Sequence, residues 1–150
     1  MPESVGGVPI HPLVVHAVVV LIPLTAFGVA VLSVVPKWRP RYGVLVAITG
    51  VVAAALAPVA KLSGQNLKDT IGETDLVNRH ADLGTNVLYG AVPLAVMAVV
   101  LWWLGRRAEH GQPLPRAISL LVGAIGVIVA IAATVQIMLI GHTGAEAVWS

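Results

Sequence analysis

The sequence predicts an all-α fold: a four-helix transmembrane bundle, one domain over residues 1–150, with both termini on the extracytoplasmic side. Three observations predict it. Hydrophobic residues make up 57% of the chain and charged residues 11%, with a mean hydropathy of +0.91, which is too apolar for a water-soluble domain of 150 residues. Four windows hold no Asp, Glu, Lys, Arg or His: Ala17–Pro36, Tyr42–Ala60, Leu83–Gly105 and Ala117–Gly141. Each reaches the roughly 18 to 20 residues that a helix needs to cross hydrocarbon. The basic residues, finally, divide unequally between the two ends of the threaded bundle.

Helices follow from the solvent, because lipid offers nothing to a free backbone group and the short alternating segments of a barrel are absent. The expected spans are about 12–35, 42–61, 76–104 and 116–141. The start Met1-Pro2-Glu3-Ser4 lacks a positive segment, so the first span reads as a retained helix rather than a cleaved signal. It opens at His11 or Pro12, since proline suits a first helical turn, and Pro23 bends it. A basic turn, Val35 to Arg41, returns the chain into the second span, where Gly50 and Ala54 allow close helix contact.

The longest polar stretch, Lys61 to Arg79, follows; Leu67 and Ile71 are placed there as a short amphipathic turn on the membrane surface. Thr74 or Asp75 caps the third helix, on which Leu76, His80, Leu83 and Val87 share a stripe, so His80 faces the bundle. Trp38, Tyr42, Trp102 and Trp103 form an aromatic belt at one interface. The fourth helix carries Gly123, Gly126, Ala130 and Ala133 for close packing and Thr134 and Gln136 as interhelical hydrogen-bond partners; it ends at Gly141-His142-Thr143-Gly144.

Orientation follows from charge. Lys37, Arg39, Arg41, Arg106, Arg107 and Arg116 lie in the two short loops with Glu109 the one acid, whereas the terminal side holds Glu3, Asp69, Glu73, Asp75, Asp82 and Glu146. The positive-inside rule puts the short loops in the cytoplasm and both termini outside, in a multi-pass protein of the inner (plasma) membrane. The basic pI near 9.4 therefore reports orientation and no nucleic-acid partner.

That threading gathers His11, His16, His80 and His142 at the outer end and leaves His110 at the other. Ionisable groups near membrane depth are costly and usually functional. The first reading is a b-type haem in membrane electron transfer, with His16 and one of His80 or His142 as axial ligands and a redox partner or quinone beside it. With no cysteine, covalent haem attachment and iron–sulfur ligation are excluded. The second reading is a copper or zinc site for binding or transport, with Met138 one turn before His142 as a soft ligand. The third is a structural subunit of a larger membrane complex, its histidines only hydrogen-bonding helix ends. Paired Glu73 and Asp75 read as loop or cap, and Trp149 as an interfacial anchor. No His-Glu-x-x-His pattern, nucleophile elbow or dinucleotide fingerprint marks an enzyme.

Three ordered motifs carry a resemblance: Gly7-Val8-Pro9-Ile10-His11-Pro12-Leu13-Val14-Val15-His16, then Leu62-Ser63-Gly64 with Leu76-Val77 and His80-Ala81 through Leu83-Gly84, and Gly141-His142-Thr143-Gly144-Ala145 through Ala147-Val148-Trp149. The chain resembles a family of bacterial predicted membrane proteins with a domain of unknown function, DUF2231, and looks most like its actinobacterial branch. The resemblance implies four membrane helices and places the family's motif histidines at His11, His16, His80 and His142. Members often continue His-Phe-Pro-Ile, where this chain reads His16-Ala17-Val18-Val19 and has its first in-helix proline at Pro23.

Overall fold

In lipid, two helices gain little from burying apolar surface against each other, so close approach of backbones has to supply the attraction. The second span shows how. Gly43, Ala47, Gly50, Ala53, Ala57 and Ala60 recur at three- and four-residue spacing, and all are buried. Opposite them lie Ala91, Ala95, Ala98 and Gly105. A Cβ at Gly50 would sit 3.2 Å from the Cα of Ala95, so a larger side chain would push the two helices apart. Ala54, expected on this surface, is half-buried one position off the stripe.

The computed structural model describes the backbone of residues 4–5, 8–71 and 74–149, and the side chains of 12–66 and 74–146. Two-residue strands β1 (Ser4–Val5) and β2 (Val8–Pro9) pair antiparallel ahead of helix α1 (Ile10–Val34). A 3₁₀ turn, Pro36–Trp38, leads into α2 (Arg39–Ile71); then come α3 (Asp75–Thr85), α4 (Val87–Glu109) and α5 (Arg116–Trp149). Among the described residues, four segments are long and apolar enough to cross a membrane: Pro12–Val34, Pro36–Asn66, Asp75–Glu109 and Arg116–Glu146. Helices α1 and α4 touch along the diagonal, with α2 on one side, α5 on the other, and α3 against α5 and α2. The core where they meet is filled by Ile22, Thr25, Val29, Leu32, Leu94 and Leu101.

Four larger differences separate the structure from the sequence expectation. Helix α2 runs on to Ile71 through part of the polar stretch; the side chains of Leu67 and Ile71, expected on the membrane surface, lie outside the described residues, as do those of Glu73 and Trp149. The third span is two helices. Thr74 caps α3 as expected, its hydroxyl accepting from Val77 N–H at 3.3 Å, but the helix breaks at Asn86. The Asn86 carbonyl turns out to accept from Gln136 Nε2 at 2.7 Å, which satisfies it away from the helix axis. Thr134, by contrast, donates to the Ala130 carbonyl of its own helix. The last helix does not end at Gly141-His142-Thr143-Gly144 but carries those residues inside it.

The fourth difference is Arg39, a loop charge by hydropathy and 4% exposed in the fold. Its Nε donates to the Leu32 carbonyl at 2.8 Å, one Nη to the Ser33 carbonyl at 3.4 Å, and the other to Ser119 Oγ at 3.1 Å. Those carbonyls end α1 and have no intrahelical donor left, so the guanidinium caps α1 and ties it to α5. Gly105 makes room, since a Cβ there would lie 2.7 Å from the Arg39 carbonyl carbon. At the same end Trp38 and Tyr42 meet edge to face at 6.0 Å, Arg41 lies over Tyr42 and Arg107 over Trp103.

Candidate functional site

Antiparallel packing fixes the level of each histidine. Near one end of the bundle, Ser33 of α1 lies against Gly123 and Gly126 of α5, where a Cβ at Gly123 would be 2.9 Å from the Ser33 carbonyl oxygen. From Ser33 back to His16 and from Gly126 on to His142, each helix climbs about 25 Å at 1.5 Å per residue. His16 and His142 therefore reach the same level at the opposite end. His80 joins them there, because its Nδ1 meets Thr143 Oγ1 at 3.3 Å.

The shared level does not make one cluster. Successive residues of a helix are about 100° apart, and α5 is unbroken here, so Thr143 and Gly144 point away from His142. His80 belongs to the inner side. Thr143, buried, gives its hydroxyl proton to the Leu139 or Ile140 carbonyl and accepts from the imidazole. A Cβ at Gly144 would press on His80 Cε1 at 3.0 Å, so this glycine is what lets the ring dock between α3 and α5. Beside it a shallow cleft is lined by Asp75, Asn78, Arg79, Asp82 and Leu139.

His16 and His142 belong to the outer side. His16 lies with Val20, Phe27 and Val34 on the exposed stripe of α1, and its Nδ1 bonds the Pro12 carbonyl one turn back. His142 continues the exposed stripe Leu121, Ile128, Val135 of α5 at seven-residue spacing; its side chain is 72% exposed and its Nδ1 meets Glu146 at 3.4 Å. The side chain of His11, the fourth expected site residue, lies outside the described residues. Among the described residues, no three of His, Cys, Asp and Glu come together to hold a metal.

Of the four expected site histidines, the structure thus sets His80 inward against α5 and leaves His16 and His142 exposed on α1 and α5. The contact of His142 with Glu146 is absent from the sequence expectations. The signal was its i,i+4 spacing, hidden by the expectation that the helix stopped at Gly141. No curated protein and no solved structure matches the chain. Residues 7–150 match the family described as Predicted membrane protein (DUF2231), and with four membrane-length helices and the motif histidines at one end of the bundle, the chain belongs to that family.

Proposed function

We propose that this membrane protein holds a transition-metal ion through its outward histidines, at the extracytoplasmic end of the bundle, for electron transfer or metal handling there. One observation carries the reading. His16 bonds the Pro12 carbonyl through Nδ1, His142 Nδ1 lies 3.4 Å from the Glu146 carboxylate, and both side chains are exposed. Ligating imidazoles are held in this way, because the second hydrogen bond sets the tautomer and ring orientation and raises the basicity of the free nitrogen. Copper and zinc both accept neutral imidazole. A redox partner or quinone would meet the same end, and lipid surrounds the apolar faces below it.

Haem b, the other cofactor class, fits these residues less well. A macrocycle inside the bundle would displace Ile22, Val29, Leu94 and Leu101, all fully buried. Axial ligands must oppose each other across the iron, whereas His80 and His142 point away from each other around α5. A bare ion on the outer face asks for no such space.

Metal analysis and a reduced-minus-oxidised visible spectrum of the full chain, purified in mild detergent, test the reading together. The expected result is copper or zinc near one per chain, lost in His16→Ala and His142→Ala. Iron with sharp reduced b-type bands would replace the bare ion by haem, and neither metal nor haem at good loading would overturn the proposal.

A further inference from the structure

Independently of the metal reading above, we propose that the cleft between α3 and α5 seats a phospholipid headgroup carrying both a phosphate and a primary ammonium, with the lipid's chains running down α5 into the hydrocarbon. Two contacts fix how α3 lies. His80 meets Thr143, and six residues later the Asn86 carbonyl meets Gln136, seven residues earlier on α5. The two helices are therefore antiparallel and in step, each stretch covering about 9–11 Å at 1.5 Å per residue. Between them is an open cleft of about 490 Å³, within the roughly 300–1,000 Å³ of small-molecule sites.

The lining is graded along the bundle axis. Asp75 is outermost, Arg79 comes one turn deeper, Asp82 follows, and Leu83 ends at the level of Leu139, which is 55% exposed on the apolar surface of α5. Charge at the wet end above an apolar wall is the profile of an amphiphile. The charged side chains are not spent on the fold: among the described residues Asp75, Arg79 and Asp82 make no ion pair, and α3 has no buried residue. Asn78, in the same wall, holds its Oδ1 buried with no hydrogen-bond partner among the described residues. A buried acceptor ordinarily has a donor, so the one for Asn78 must come from elsewhere. The Arg79 fork matches a phosphate. Two carboxylates flank it, so a phosphate that enters alone is repelled, and one that brings its own cation is not. A primary ammonium also donates three hydrogen bonds to such carboxylates, which a quaternary ammonium cannot do.

The test is native mass spectrometry of the full chain in mild detergent, titrated with an equimolar mixture of phosphatidylethanolamine, phosphatidylcholine and phosphatidylglycerol of matched chains. Wild type should retain the ethanolamine lipid over either of the others by roughly fivefold or more, the scale of one net hydrogen bond. Arg79→Gln should cut that retention by about tenfold, the scale of one hydrogen bond to a charged group. The double variant Asp75→Asn, Asp82→Asn should instead change the preference, bringing phosphatidylglycerol level with the ethanolamine lipid, an outcome that a merely structural role would not produce. Arg116→Gln, at the other end of the bundle, serves as the unchanged control, and helical circular dichroism checks that each variant is folded. Equal retention of the three lipids by wild type, or retention untouched in Arg79→Gln, overturns the proposal. So does full competition by soluble phosphoethanolamine, which would make the ligand an aqueous one rather than a lipid.

Discussion

Replacing Arg39 by methionine should destabilise the bundle more than any other change at the basic end. Methionine matches the length of the arginine stem and removes the guanidinium, which leaves the Leu32 and Ser33 carbonyls and Ser119 Oγ without their donors. A hydrogen bond to a charged group contributes about 1.5–3 kcal/mol, and an orphaned buried acceptor costs about 1–3 kcal/mol. Three such bonds give a gross loss of several kcal/mol. Against this stands the cost of keeping a cation buried with no acid among its hydrogen-bond partners, which the substitution relieves. The net expectation is a loss of about 2–4 kcal/mol. Arg39→Lys should lose about half as much, because one ammonium cannot reproduce the fork that reaches three acceptors. Unfolding by denaturing detergent in mixed micelles, followed by circular dichroism, measures both. The double-mutant cycle with Ser119→Ala should return a coupling of about 0.5 kcal/mol or more. Arg39→Met within about 0.5 kcal/mol of wild type would refute the reasoning, since it would show that water satisfies the end of α1 as well as the guanidinium does.

Other perturbations follow from the same packing. Gly105→Ala should cost about 1–3 kcal/mol in the same unfolding assay, because its Cβ would meet the backbone of Arg39 rather than a movable side chain. Thr25→Val should be neutral or stabilising: Thr25 Oγ1 is fully buried and finds no hydrogen-bond partner among the described residues, so removing the hydroxyl at constant shape removes an unsatisfied group. Gly144→Leu should expel His80 from between α3 and α5, read as a shift of the His80 ring resonances and faster hydrogen exchange in α3.

Four membrane helices were legible in the sequence because lipid imposes them: a segment that crosses hydrocarbon must be apolar for its whole length and must satisfy its own backbone, and both demands are local. The same holds for the Thr74 cap, a local hydrogen bond, and for the inward setting of His80, which follows from its stripe with Leu83 and Val87. Local rules fail where a neighbour decides. Gly141 and Gly144 read as a helix end, since glycine is a poor helix former. In the fold, α5 runs through both, and Gly144 is the space into which His80 docks. At Asn86, where the third span breaks, the carbonyl is shared between Tyr89 N–H at 2.9 Å and Gln136 Nε2 at 2.7 Å, the second a partner from another helix.

Hydropathy likewise assigned Arg39 to the loop with its basic neighbours. Nothing within the segment tells that one arginine from Lys37 or Arg41; what separates it is the carbonyl end of α1, six and seven residues back, together with a serine on α5. The histidines show the division most clearly. Charge and threading bring His16, His80 and His142 to one end of the bundle from sequence alone, because level along a helix is a matter of counting. Which of them meet is set by rotation about each helix axis, and that depends on where the small residues let the helices touch. Ser33 against Gly123 and Gly126 turns His142 outward with His16, and Gly144 draws His80 inward. By itself the sequence determines that there are four membrane helices and the level of each histidine; only tertiary packing decides that His80 docks on α5 while His16 and His142 stay exposed.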